Sequence, residues 1–261
     1  MPLAALPPVI GHRGARALAP ENTLAGLRCA AALRVGSVEV DVRLSADGVP
    51  VLLHDDTLER TTDGHGALAD TPLAALRELD AGSWFGAPFA GERLPTLEEF
   101  LLDAQALGIH VNLELKGRPG DPVRLAETTL AVARSVWRTG APPLVSSFDW
   151  ACLETAARCA ADWPRGLLLD FVEPDWPGQA AAIGAAAIIV NHACLDGPEA
   201  VAELGADGRP VLAYTVNDPA RARRLRGWGV AAVITDRPDR KMADAAGQKI
   251  SFGKVPPGVV P

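Results

Sequence analysis

The sequence predicts an α/β protein whose parallel strands close into a (β/α)8 barrel carrying one additional β-hairpin. Three observations carry this. Short β-rich runs alternate with helix-like, Ala/Leu/Arg-rich segments, the pattern of a parallel sheet covered by helices. Two of the runs, however, are joined by a link too short for a parallel crossover. The length of 261 residues, 48% of them hydrophobic, suits one barrel with a substantial core.

In chain order the expected strands fall at 9–11, 37–44 (SVEVDVRL), 49–54 (VPVLLH), 110–116 (HVNLELK), 144–148, 166–169, 187–191, 211–217 and 230–235. Nine runs are one too many for an eight-stranded barrel. Between SVEVDVRL and VPVLLH lie only Ser45, Ala46, Asp47 and Gly48. A parallel crossover needs about a dozen residues or more, and Asp-Gly between strands signals a hairpin. One of these two runs is therefore an antiparallel partner, and either could be. If Asp47-Gly48 is a two-residue turn, residue 46 pairs with 49 and Asp41 with His54, on one face.

Helices are expected at about 22–34, 96–107, 121–138, 150–161, 197–205 and 218–228. Thr96, followed by Glu98 and Glu99, has the character of a helix N-terminus. Residues 56–95 break the rhythm with Gly, Pro, Thr and aromatics and read as a small insertion within a single domain spanning 1–244. Residues 245–261 lose periodicity, end in KVPPGVVP, and predict a loosely attached, flexible tail.

A net charge of −7 without any basic block argues against nucleic acid or an anionic membrane surface as partner. An anionic small-molecule substrate then needs a local positive centre. No apolar run approaches the roughly 18 residues of a membrane span. The start MPLAALPPVIGHRG lacks a basic n-region and a long apolar stretch. Together these predict a cytoplasmic protein without stable membrane insertion; oligomeric state is not readable. Cys29, Cys152, Cys159 and Cys194 form no CxxC pair and are expected to be buried free thiols.

The chemistry gathers in three segments. In GHRGARALAPENTLAG, His12 and Arg13 stand between glycines that permit close approach, while Glu21 and Asn22 read as bracing the turn and starting a helix. In SVEVDVRL, Glu39 and Asp41 share one strand face, opposite Val38, Val40 and Val42. Two carboxylates aimed into a strand-rich interior need a positive partner, and a hard divalent cation, Mg²⁺ or Ca²⁺, supplies one. His54 beside Asp41 reads as a general acid/base; Asp55 and Asp56 read as solvated loop residues. In HVNLELK, Asn112, Glu114 and Lys116 share a face and add a third carboxylate and an ammonium. Carboxylates around a cation, an Arg13/Lys116 clamp and two histidines suit phosphoryl transfer. Trp84, Phe85, Phe148 and Tyr214 are candidate pocket walls, and His192 a candidate rim residue. His65 and His110 read as loop and strand-boundary residues.

These segments also carry a resemblance. HRG with PENT, EVDVRLSADGVPVLLHDDTLERTTDG, GSWF, PTLEEFL, LELK, SSFD, TVND and ITDRPD, in that order from about residue 9 to 239, resemble the glycerophosphodiester phosphodiesterase family. The resemblance implies a distorted TIM barrel with a small insertion, and a divalent-metal diesterase releasing glycerol 3-phosphate and an alcohol. It implies Glu39, Asp41 and Glu114 as metal ligands, His12 and His54 as the acid/base pair, and Arg13 and Lys116 as phosphate ligands. Attack by the substrate's own glycerol hydroxyl, through a cyclic phosphate, and direct attack by a metal-bound water are both open. Relatives often carry Trp where this chain has Tyr214, which touches substrate preference more than catalysis. Two other readings are a lysophospholipid or choline-phosphodiester substrate, hinted at by GAPFAG, and a silent binding barrel. The silent barrel predicts a broken set, whereas all seven positions are filled.

Overall fold

The computed structural model describes residues 6–138 and 140–240. The chain runs β1 (Val9–His12), α1 (Leu24–Ala32), β2 (Ser37–Leu44), β3 (Pro50–Leu52), α2 (Leu73–Leu76), α3 (Leu97–Leu107), β4 (His110–Leu115) and α4 (Pro122–Val136). It continues β5 (Leu144–Ser147), α5 (Trp150–Cys159), β6 (Arg165–Leu169), α6 (Trp176–Ala182), β7 (Ala187–Asn191), α7 (Pro198–Leu204), β8 (Val211–Tyr214), α8 (Pro219–Gly227) and β9 (Ala232–Thr235). Eight parallel strands close in the order β1-β2-β4-β5-β6-β7-β8-β9 and back to β1. The surplus strand is β3, antiparallel on the end of β2 that β1 leaves unpaired. This is the TIM-barrel class with one added hairpin.

Alternation along the strands separates two environments. Val38, Val40 and Val42 of β2 and Val111, Leu113 and Leu115 of β4 pack outward with Leu27, Phe100, Leu101, Leu125 and Leu130 of the covering helices. Inside the barrel, Ile10, Leu168, Ile189, Leu212 and Ile234 form a dry cluster contributed by β1 and β6–β9. On the facing side, β2, β4 and β5 bury Glu39, Asp41, Asn112, Glu114 and Ser146 instead. Burial of so many polar groups demands partners, and that demand shapes the site. At the start of α3, Thr96 Oγ1 accepts from Glu99 N at 3.2 Å while the Glu99 carboxylate accepts from Thr96 N at 2.9 Å. This reciprocal cap is the boundary expected from PTLEE.

Three expectations are corrected. The hairpin pairs Val42 with Leu52, Arg43 with Val51 and Leu44 with Pro50, one residue out of the register a two-residue turn imposes. Ser45 N donates to Val49 O at 3.0 Å and Gly48 N to Ser45 O at 2.9 Å, with Gly48 at φ +81°. A turn closed by a left-handed glycine makes the loop three residues long. Asp47 is pulled into it by accepting from Ser45 Oγ at 2.6 Å and Leu73 N at 2.9 Å. Asp41 therefore faces Leu53, whose N–H donates to Asp41 O at 3.2 Å, and His54 lies beyond the strand. Second, α6 and the single turn α2 fall outside the six expected helices; Pro177 and Gly178 at the start of α6 mask its periodicity. Third, Cys29 and Cys152 are buried free thiols, but Cys159 is exposed.

The stretch between β3 and α3 builds a small core of its own, in which Leu58, Leu68, Leu76, Ala81 and Leu94 pack with Val51 and Leu53. The tail expected at 245–261 lies outside the described residues. No helix among the described residues is long and apolar enough to cross a membrane.

Candidate active site

The β2–β4 register sets Asp41 beside Glu114 and Glu39 beside Asn112. One oxygen from each of Glu39, Asp41 and Glu114 lies within 4.8 Å of the others, and all three residues are buried. Burial and the two neighbouring carboxylates push the Glu39 carboxyl well above its ordinary range. Burial, with Asp41 alongside, raises Glu114 to about 7 against the pull of Lys116. For Asp41, burial works against the charge, but Lys116 and Arg13 outweigh it and hold the carboxyl below its ordinary range. Lys116 Nζ stands 3.2 Å from Asp41 Oδ1 and 2.5 Å from Glu114 Oε1. Arg13 Nε stands 3.2 Å from Asp41 Oδ2.

Three buried carboxylates thus share two cationic side chains, and Glu39 Oε1 has no hydrogen-bond partner among the described residues. Hard oxygen donors gathered this closely, one of them orphaned, fit a divalent cation of the Mg²⁺ or Ca²⁺ kind.

The turn after β1 aims its groups at this cluster. Arg13 adopts φ +50°, uncommon for a side-chain-bearing residue, and its N–H donates to Glu39 Oε2 at 3.1 Å. Gly14, at φ +90°, leaves room for α1: a Cβ there would sit 2.9 Å from the Gly26 carbonyl carbon. The close approach its glycine permits is thus between backbones. Asn22 grips Asp41 twice, donating from Nδ2 to Oδ2 at 2.8 Å and accepting from Asp41 N at 3.1 Å.

Both histidines are held by carboxylates. His12 Nδ1 is 2.6 Å from Asp236 Oδ1, and His54 Nδ1 is 2.6 Å from Asp55 Oδ1. Each carboxylate places the proton on Nδ1 and leaves Nε2 for chemistry. The Nε2 of His12 points into the cluster, 3.8 Å from Glu39 Oε2. Burial pulls His54 below the ordinary imidazole value, helped by Lys116 and Arg13 and opposed by Asp41. Asp55, far from a merely solvated loop residue, is held at about 2 by Arg60 and His54. Burial opposes the Asp236 charge, but its hydrogen bonds from His12 and Asn217 hold it at about 2.

Because the folded pKa of Asp55 and Asp236 lies below the unfolded value near 3.9, each stabilises the fold above about pH 4. That contribution, on the order of 2 kcal/mol per group, is lost as pH falls toward 2. Thermal melts should show a steep acid limb between pH 4 and about 2, made shallower in both Asp55→Asn and Asp236→Asn. An unchanged limb in both variants would contradict these assignments.

The aromatic candidates divide. Phe148 and Tyr214 meet edge to face at 5.8 Å, and Lys116 Nζ lies 5.8 Å from the Phe148 ring. Trp84 stacks edge to face on Phe85, which does the same on Phe89, and Phe85 packs against the outer core. His192 follows β7, and its backbone carbonyl accepts from Arg221. His110 Nε2 lies 3.0 Å from Pro142 O, at the strand boundary where it was expected. The sequence alone does not mark Asp55, Asp236 or the double grip of Asn22 as site features; an acidic residue directly after a barrel strand is the available signal for Asp236.

A closed parallel barrel with its ionisable groups collected at the ends of β1, β2, β4 and β9 defines a TIM-barrel enzyme. The family model described as glycerophosphoryl diester phosphodiesterase matches residues 12–240. The chain belongs to that family, a family of phosphoric diester hydrolases. It is 34% identical over 237 residues to the glycerophosphodiester phosphodiesterase of Caldanaerobacter subterraneus, covering 88% of this chain and 94% of that one. A Bacillus subtilis glycerophosphodiester phosphodiesterase is 30% identical, over 88% of this chain and 83% of its own. Among solved structures, an Oleispira antarctica phosphodiesterase in complex with the product sn-glycerol-3-phosphate superposes with a TM-score of 0.87. It is 39% identical, covering 89% of this chain and 94% of the other.

Proposed function

We propose that this enzyme hydrolyses glycerophosphodiesters to glycerol 3-phosphate and an alcohol, as a single cytoplasmic domain over residues 1–244. The observation that carries the reading is the buried Glu39–Asp41–Glu114 cluster flanked by two histidines, each backed by its own carboxylate. The glycerol 3-phosphate held by the Oleispira relative supports the product.

Glu39, Asp41 and Glu114 would hold one divalent cation, Mg²⁺ or Ca²⁺, which supplies Lewis-acid stabilisation of charge on the phosphoryl oxygens. Arg13 and Lys116 bind the nonbridging oxygens and orient the diester. One imidazole takes the proton of the attacking group, water or the substrate's own glycerol hydroxyl, as the new P–O bond forms. The other, as imidazolium, gives its proton to the departing alkoxide as the old bond breaks. On the hydroxyl route water then adds to the cyclic phosphate and opens it to glycerol 3-phosphate. Phe148 and Tyr214, with Trp84 and Phe85 as further candidates, wall the pocket of the leaving alcohol.

A second reading draws on the rim beyond β5 and β6, where Phe148, Phe171 and Val172 are exposed. Such a rim favours a substrate carrying an acyl chain, a lysophospholipid. The purified protein is assayed with glycerophosphocholine and with lysophosphatidylcholine. Turnover of the first to glycerol 3-phosphate and choline is expected. Cleavage of lysophosphatidylcholine alone, or release of phosphocholine, would overturn the reading.

A further inference from the structure

The two carboxylates that hold the histidines are themselves joined through a single buried residue. On one arm, Asp236 Oδ2 accepts from Arg16 Nη1 at 3.3 Å, and Arg16 Nε donates to Glu21 Oε2 at 2.9 Å. On the other, Arg60 donates to Asp55 from Nε at 2.5 Å and from Nη2 at 3.0 Å. The same guanidinium grips Glu21 through Nη1 at 2.9 Å and Nη2 at 2.8 Å. A third guanidinium, that of Arg13, donates from Nη1 to Glu21 Oε1 at 2.7 Å. The Glu21 side chain is only 1% exposed, whereas those of Arg16 and Arg60 are 38% and 39% exposed.

We propose that Glu21 is a positioning residue for both histidines, fixing through Arg16–Asp236 and Arg60–Asp55 the separation and orientation of His12 and His54. The inference rests on the acid/base reading of those two histidines. Neither arginine is packed tightly enough to hold a carboxylate by itself. Each loses rotamer freedom when immobilised. Charge-assisted contacts to one rigid carboxylate offset that loss. Glu21 is rigid because PENT ends in a cap: Thr23 Oγ1 accepts from Gly26 N and donates to Pro20 O. Two proton-transfer groups, one at the end of β1 and one in the chain after β3, are thereby referred to one fixed point. Misplacing either by about 1 Å is enough to cost on the order of 100-fold in rate.

The test measures kcat and KM on metal-saturated enzyme with glycerophosphocholine for E21Q, R16M and R60M. Each is made alone and in the H12A and H54A backgrounds, with folding followed by thermal melts. E21Q is expected to lower kcat about 10- to 100-fold with KM changed less than about threefold. R60M is expected to lower kcat in the wild-type and H12A backgrounds but not in H54A, and R16M to show the mirror pattern. A structural effect would instead multiply through every background. Such multiplication, or wild-type kcat in both arginine variants, overturns the proposal. If E21Q fails to fold, the two half-exposed arginines decide alone. Wild-type kcat in H12A and H54A themselves would instead overturn the acid/base reading beneath it.

Discussion

Replacing His12 or His54 by alanine is expected to lower kcat by about 100- to 10,000-fold, the range for loss of a positioned acid or base. KM is expected to move little, because the proposed phosphate ligands Arg13 and Lys116 remain. The two variants should differ in stability. The His54 side chain is 33% exposed, so its removal leaves little void, and Asp55 keeps Arg60. The His12 side chain is 14% exposed, and its loss strips a buried Asp236 of its shortest contact. H12A should therefore melt lower than H54A. Steady-state kinetics and thermal melts check both statements. A variant with near wild-type turnover removes that histidine from the pair.

Chelation is expected to abolish turnover, and added Mg²⁺ or Ca²⁺ to restore it. The sharper experiment uses Glu39→Gln. The folded state raises the Glu39 carboxyl well above its unfolded value. It therefore binds more protons than the unfolded chain, and stability falls as pH rises above the ordinary carboxylate range. An amide of the same shape removes that penalty while keeping an oxygen for the Arg13 N–H. Metal-free E39Q should melt above metal-free wild type at pH 7 to 8, yet lose activity. It should also lose the rise in melting temperature that a bound cation gives wild type, about 2.7 kcal/mol of stabilisation at 100 times Kd. Full activity of wild type in chelator would sink the metal assignment. A metal-free E39Q that melts lower would show that Glu39 is not the strained member of the cluster.

Which parts of this were legible follows from the range over which each interaction acts. Period-two alternation is local, so the polar faces of β2 and β4 stood out in SVEVDVRL and HVNLELK. The cap at Thr96 is equally local. The hairpin register was not legible, because one left-handed Gly48 adds a residue to the loop and moves every cross-strand pair. His54 still belongs to the site, brought there by the chain after β3 rather than by pairing with Asp41. From the sequence Glu21 reads only as a brace for its own turn, since its partners Arg60 and, through Arg16, Asp236 come from segments far away in sequence. Contacts that distant leave no periodic trace in a single chain.

One consequence concerns biosynthesis. All seven side chains proposed for chemistry lie within the first 116 residues, but the acceptor of the His12 proton is Asp236, just past the last barrel strand. The closing seam between β1 and β9 is thus also where one catalytic tautomer is chosen. A ribosome that has delivered half the chain has delivered every one of these groups, His54 with its orienting Asp55 included, but His12 still lacks Asp236. On the acid/base reading of His12, turnover is therefore expected only once the first and last strands pair, which makes activity a probe of ring closure.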